Sequence, residues 1–367
     1  MSPSHLAVDI LVYVALNEEL GYALEGIKNH GTNWNPGELT NVALTYYTTQ
    51  VTSPSLNRTF TMMIVPAGKM GNTRSANVTS ALLSSFKIDN VVVLGIAGSL
   101  TTDLSPGDVY IPDRVEEYLA NSAAQGTEQW TFHTSGNHFS THPRLLNRFQ
   151  NFSHTHESEY KQWLASTQLF REKAIKPATV RKLKSAGIVL SKQCKLSISA
   201  DTVLGSGPTV GKSEAFITWL KTVDRKMEAL EMESAGVHDA SFVRTPSPRT
   251  IAIRGISDFA DERKRLIEDG AKSQFCILAV QNAVSLLIYA VEAGFFREEL
   301  SQHQGNLPSG SIISPSTIGS GSNLEHEGAA DRSASQSAPP ENSDSIIEDN
   351  LRVHFKSLLM QRSASAK

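Results

Sequence analysis

RTIAIRGISDFAD, from Arg249 to Asp261, joins a β-branched apolar run to an acid, an aromatic residue and a second acid. The apolar half reads as a buried strand, and a carboxylate at the end of such a strand is costly to bury unless it meets something polar. Ligands of parallel α/β sheets gather at the carboxyl ends of strands. The two acids are therefore the first candidates for chemistry, with Asp261 placed to cap the helix that follows and Asp258 left over.

Working outward, the same grammar repeats. From Val8 to Ala293 short β-branched runs alternate with helical patterns, as in VDILVYVAL followed by EELGYALEGI, and NVVVLGIAG preceded by SANVTSALLSSF. This alternation predicts an α/β domain with a largely parallel sheet. Leu20, Ala23, Leu24 and Ile27 recur at helical spacing behind Asn17, a suitable N-cap. The segment QFCILAVQNAVSLLIYAVEAGFF is apolar nearly all round, as expected of a helix sandwiched inside the domain. These patterns place the domain at residues 1–297, with a weakly periodic insertion over 116–193.

Composition changes after that. Residues 298–344 are rich in Ser, Gly, Pro, Asn and Glu and read as a disordered linker, because they bury too little apolar surface to offset ordering entropy. Residues 345–367 begin with a Ser345/Glu348 capping box and carry Ile347, Leu351, Phe355, Leu358 and Leu359 at helical spacing. This amphipathic helix either seats in a protein partner's groove or forms only transiently.

The 367 residues are 40% hydrophobic and 19% charged with a formal net charge of -3, which suits a soluble globular protein and gives no general attraction to nucleic acid. The N-terminus lacks the pattern of a signal peptide, and no stretch reads as a membrane span, so a cytoplasmic setting is expected, with the nucleus left open. Cys194 and Cys276 offer neither a disulfide framework nor metal-ligand spacing. Five histidines in the insertion, His133, His138, His142, His154 and His156, have no matching acids or cysteines, so no metal and no cofactor is expected. The basic stretch REKAIKPATVRKLKSAG reads first as a solvated helix face and second as a phosphate contact.

Four strand ends besides RGISDFAD could carry a ligand. VALNEEL brings Glu18 and Glu19 into the first turn of a helix, where at least one acid is merely favourable to the dipole. VPAGKMGNTRSANVT places Gly68 and Gly71 ahead of a helix without P-loop spacing. VVVLGIAGS ends in a small-residue turn that includes Ala97 and Gly98. In MEALEMESAG, if the strand runs from Met227 to Glu233, Glu231 and Glu233 share a face, and a pair of ribose hydroxyls would suit them.

Together the blocks ALNEEL, AGKMGNTRSA, GIAGSL with GDVYIPDRV, SADTVLGS, ALEMESAGV and IRGISDFAD resemble the nucleoside phosphorylase and nucleosidase superfamily, in particular its methylthioadenosine/S-adenosylhomocysteine nucleosidase branch. The resemblance spans Val8 to Ala293. It implies a three-layer α/β sandwich around a mixed, partly barrel-like sheet, and cleavage of a purine N-glycosidic bond. On that resemblance Asp258 protonates purine N7, held by Ser257, while Glu19 handles the attacking water. Glu233 accepts the ribose hydroxyls with Glu231 beside it, and Met232 packs on the sugar. Ala97, Gly98, Thr202 and Val203 line the base, although the family commonly has an aromatic where Thr202 and Val203 stand.

Phosphorylases of the superfamily clamp phosphate with arginines, including one before the glycine of VVVLGIAG, where this chain has Val93 and Leu94. Water is therefore the favoured nucleophile, with phosphorolysis as the alternative. Arg74 could bind phosphate as a nucleophile or as a nucleotide's tail. A tailed domain of this kind also resembles nucleotide-depleting immune nucleosidases that cleave ATP or AMP, and a non-catalytic nucleoside-binding protein is the remaining alternative. Relatives commonly form homodimers, and the substrate beyond purine stays open.

Overall fold

The computed structural model describes residues 7–28, 33–40, 43–125 and 131–297. The chain divides after Leu300 into two units, and all described residues belong to the first. The sequence-predicted linker and amphipathic helix lie outside the described residues.

The chain opens with β1 (Ala7–Val14) and α1 (Asn17–Lys28), then an antiparallel run of β2 (Asn35–Leu39), β3 (Leu44–Ser53) and β4 (Arg58–Pro66). Next come α2 (Asn72–Ser85), the long β5 (Lys87–Ser99), and the short β6 (Val109–Tyr110) and β7 (Arg114–Glu117). The insertion carries β8 (Ala123–Gln125), β9 (Thr131–His133), β10 (His138–Ser140), α3 (Pro143–Gln150), α4 (Phe152–Thr155), α5 (Glu157–Ala174) and α6 (Pro177–Ser185). The remainder is β11 (Leu196–Ser197), β12 (Val203–Ser206), α7 (Glu214–Val223), β13 (Met227–Glu231), α8 (Ser234–Phe242), β14 (Arg249–Phe259) and α9 (Arg263–Glu292).

Twelve strands form one mixed sheet in the order β10-β7-β12-β13-β5-β1-β4-β3-β2, with β14 on β5 and β6, and β6 on β11. β5 sits at the branch: it pairs parallel with β1 and β14 and antiparallel with β13. No closed barrel forms among the described strands, so the sheet is mixed and branched rather than barrel-like in the closed sense. Alternation along β1 sends Ile10, Val12 and Val14 to a core shared with α1, α3, α5 and α9, and Leu11 and Tyr13 to a core shared with α2 and α8. Those two cores on opposite faces make the three layers.

α1 starts at Asn17 itself rather than being capped by it. The apolar closing segment is part of the longer helix α9, and Ser273–Glu292 is long and apolar enough to cross a membrane by length and composition alone. This corrects the expectation that no stretch has that length. That segment is mostly buried in the domain, the helix packs on β14, α5 and α1, and its apolar character serves the core.

The weakly periodic insertion proves to be largely helical. Trp163, Thr167 and Phe170 do recur on one buried face of α5, but the threonine interrupts the apolar signal. The Trp163 indole N–H donates to the Asn282 carbonyl at 3.1 Å, which fixes α5 against α9. The basic stretch spans the end of α5 and α6.

Candidate active site

The site forms where β1, β5, β13 and β14 end. β14 runs parallel to β5 in register until Ile256 opposite Ala97, and the pairing then slips so that Asp258 lies opposite Gly98. Ser257 is the extra residue of this bulge. A one-residue slip transfers the following side chain to the other face of a strand. Arg254, paired with Gly95, and Asp258, paired with Gly98, therefore flank the end of β5 from opposite faces.

On one flank the Asp258 carboxyl is buried, and two groups hold it. Ser257 Oγ donates to Oδ2 at 2.7 Å, and Lys264 Nζ, from the first turn of α9, makes an ion pair with Oδ1 at 2.9 Å. Burial raises the pKa of Asp258 above the ordinary carboxylate range, while Lys264 and Ser257 pull it back. Gly98 makes room for this, since a Cβ there would lie 3.1 Å from Oδ1. Asp261 accepts the backbone N–H of Arg263 at 2.8 Å, so it serves the start of α9 as expected, although Glu262 occupies the capping position itself.

On the other flank lies a carboxylate cluster around one guanidinium. Arg254 is 1% exposed; its Nη2 pairs with Glu231, donates to Ser234 Oγ at 2.9 Å and lies 3.8 Å from Glu233 Oε2. Among the described residues its Nε–H finds no acceptor. Glu231 accepts the backbone N–H groups of Glu233 and Ser234 at 3.0 Å through Oε2, fastening the start of α8. Its oxygens are thus engaged by the protein. Contrary to the expectation of a strand through Glu233, β13 ends at Glu231 and Glu233 is the N-cap residue of α8, so the two acids do not share a strand face. They converge instead on Arg254.

Glu233 Oε1 accepts the Gly71 N–H at 3.2 Å from the glycine loop ahead of α2, and Ser75 Oγ holds the Glu233 carbonyl at 2.8 Å. Burial first, then the neighbouring Glu231 carboxylate, pushes Glu233 up to about 8, with Arg254 opposing. Met232, between the two acids, is half-buried.

Glu19 joins from the first turn of α1 and is buried, whereas Glu18 is exposed and plays the dipole-complementing part. Burial raises Glu19 as well; Arg254 and the backbone amides of Leu16, Ile96 and Ala15 offset this in part. Gly95 permits the approach, because a Cβ there would lie 2.5 Å from Arg254 Nη1 and 3.4 Å from Glu19 Oε2. Tyr13 and His238 back the cluster from β1 and α8. Burial pulls His238 down to about 4, so its ring is neutral near pH 7.

The remaining sequence-predicted residues are less engaged. Ala97 is buried beside Gly98 at the end of β5. Val203 is fully buried with Leu230 and Ala260, and Thr202 is spent on the fold, its carbonyl accepting the Asp113 N–H at 3.0 Å. Arg74 is exposed, its Nε donating to the Ala67 carbonyl at 3.0 Å. Among the described residues no group of three His, Cys, Asp or Glu could hold a metal ion. Sequence reasoning missed Arg254 and Lys264, the cations that organise the two flanks. The burial pattern of β14 could have exposed the first, since an arginine inside RTIAIRGI has no route to solvent.

Chemically, one flank offers a buried carboxyl with a proton donor's environment. The other offers three carboxyls around one guanidinium, with burial holding Glu233 and Glu19 toward their protonated forms, a set of oxygens suited to binding and polarising water or ribose hydroxyls.

The family model described as the phosphorylase superfamily matches residues 9–292. The curated ATP nucleosidase Cap17 of Escherichia coli (strain KTE188) is 26% identical over 213 residues, covering 56% of this chain and 37% of that protein. The match thus spans little more than a third of the curated relative's length. Among solved structures, S-adenosylhomocysteine nucleosidase of Streptococcus pyogenes shares the fold at a TM-score of 0.51 and 18% identity, covering 80% of this chain and 98% of that one. The 5'-methylthioadenosine/S-adenosylhomocysteine nucleosidase of Neisseria meningitidis gives 0.52 and 16%, covering 77% and 98%. Futalosine hydrolase of Helicobacter pylori strain 26695 gives 0.50 and 18%, covering 77% and 97%.

Proposed function

Because the chain belongs to the phosphorylase superfamily, we propose that its described domain is an N-glycosidase that hydrolyses the base–ribose bond of purine nucleosides or nucleotides. The observation that carries this reading is the buried Asp258 carboxyl, set by the β14 bulge across the end of β5 from the Glu19–Glu233–Arg254 cluster.

A purine anion is a poor leaving group, so Asp258 passes its proton to N7 as the C1'–N9 bond breaks and the base departs neutral. Positioned acids of this kind contribute about 10²–10⁴-fold. Glu233 accepts the ribose hydroxyls. Glu19 orients water toward C1' and takes up its proton, a division between two carboxyls in unlike surroundings that parallels glycoside hydrolysis.

Water rather than phosphate is favoured by the state of the arginines. Arg254, the one buried arginine among the described residues, is already engaged by Glu231 and Ser234, so its guanidinium is not open to a phosphate dianion. Arg74 is exposed, anchored through its Nε to the Ala67 carbonyl ahead of the glycine loop, and a cation there suits the phosphate tail of a nucleotide. The similarity to a protein named as an ATP nucleosidase supports including ATP among the substrates.

Incubation with adenosine, methylthioadenosine, inosine, AMP and ATP, with and without phosphate, followed by chromatography for free base, tests the reading. Base release independent of phosphate is expected. Release only with phosphate would replace the hydrolase by a phosphorylase, and no release from any substrate would refute both. Asp258→Asn should lower turnover by about 10²-fold or more without unfolding the domain, since positioned acids contribute on that order.

A further inference from the structure

α9 begins with Arg263, Lys264 and Arg265 and has no acid in its first turn. The N-terminal end of a helix dipole disfavours cations, so three in a row are not there for the helix. Arg263 is accounted for by Asp261, which it reaches at 2.6 Å, and by the Phe259 ring, 3.9 Å from its guanidinium carbon. Arg265 is exposed and 3.7 Å from Asp269. Lys264 alone turns inward, its side chain 15% exposed, onto the proposed acid of the site.

We propose that Lys264 is a positioning residue for Asp258, holding the carboxyl over Gly98 and stabilising the carboxylate that remains once its proton has moved to purine N7. This rests on the hydrolase reading above. In the step, the proton leaves Asp258 for N7, and the C1'–N9 electron pair goes to the base. Water bonds to C1' and yields its proton to Glu19. Negative charge therefore appears on Asp258 during bond cleavage, 2.9 Å from a cation that is already in place. Such a charge needs no reorganisation to be stabilised.

The groups facing Asp258 are few. From its own strand, Ser257 donates to Oδ2; from β5, Gly98 lies against Oδ1 without a side chain; from α9 come Lys264 and, as a like charge, Glu268. Glu268 is itself held by Lys212 at 2.9 Å. Lys264 is thus the one cation in direct contact with the acid among the described residues.

The test compares wild type with Lys264→Met and Lys264→Arg in two measurements. Removing an opposite charge at this range raises a carboxyl's pKa by about 1 unit or more. The alkaline limb of the kcat–pH profile should accordingly move up by about that much in Lys264→Met, with plateau kcat lower because the acid is weaker and KM little changed. Lys264→Arg should keep the limb near its wild-type position. A Lys264→Met limb that stays put or moves down, or an arginine variant that behaves like the methionine one, would overturn the proposal.

The second measurement is a titration of the Asp258 carboxyl carbon by NMR, assigned through Asp258→Asn, in protein labelled at aspartate. Its midpoint should rise in Lys264→Met, and an unmoved midpoint overturns the proposal whether or not any substrate turns over. If the wild type released no base, the hydrolase reading and the catalytic half of this proposal would fall together. The titration would still decide whether Lys264 governs the carboxyl.

Discussion

Replacing Glu233 by Gln should alter the pH dependence of stability by an amount that follows from its surroundings. Glu233 lies buried beside Glu231, and its pKa rises from an ordinary 4.5 to about 8. In the folded state it therefore keeps a proton that the unfolded chain has lost, and stability declines as pH rises from about 5 through about 8. At 1.36 kcal/mol per unit the full shift corresponds to about 5 kcal/mol. Because Glu231 and Glu19 share the burden, a few kcal/mol is the realistic order, or roughly 5 °C or more in melting temperature for a domain of this size. Gln cannot ionise, retains an acceptor for the Gly71 N–H, and should flatten that decline. Melting of wild type and Glu233→Gln by calorimetry from pH 5 to pH 9 measures it. The variant should match or trail the wild type at pH 5 and gain on it by pH 8.5. Parallel curves across the range would show that Glu233 does not carry a displaced proton, and would remove the electrostatic account of the cluster.

Two further substitutions probe the same flank. Arg254→Met strands three buried carboxyls and should cost about 3–5 kcal/mol at pH 8; an unchanged melting temperature at pH 8 would contradict the pairing. Gly95→Ala puts a Cβ 2.5 Å from Arg254 Nη1, so the guanidinium must move. Base release should fall at least about tenfold while the domain stays folded at a cost of about 1–3 kcal/mol, and full activity would show that Arg254 is not required where it stands.

The α/β alternation, the strand ending at RGISDFAD and the separate fates of its two acids were legible because each rests on a local pattern: period, turn chemistry and capping. The same holds for Glu18 and Glu19, where one acid of the pair is exposed and the other buried, although nothing in NEEL says which. What stayed hidden depends on register. The bulge at Ser257 leaves no composition signal, yet it decides that Asp258 and Arg254 face opposite sides of β5. The end of β13 at Glu231 is equally silent, since MEALEME continues to read as strand; the helix start fastened by the Glu231 carboxylate wins there. The helices of the insertion escaped because faces such as Trp163, Thr167 and Phe170 bury a hydroxyl among the rings. Lys264 lay in a run of three like charges that reads as solvated, and only the tertiary fold distinguishes it from its neighbours.

The separation of the two flanks also explains why each can hold its protonation state. Were Asp258 on the Arg254 face, the guanidinium would compete for it, and a fourth carboxyl would join three that already share one cation. The bulge removes it from that field and gives it a cation of its own. The cluster keeps three carboxyls around one guanidinium, which in the proposed hydrolysis would hold the ribose hydroxyls and the water as C1' becomes cationic. In the proposed hydrolysis the acid would be discharged beside Lys264 at the same moment. On that proposal charge would move from one flank to the other across the strand end, with Lys264 standing at one end and the Arg254 cluster at the other, so the energetic demand would fall on placement rather than on motion.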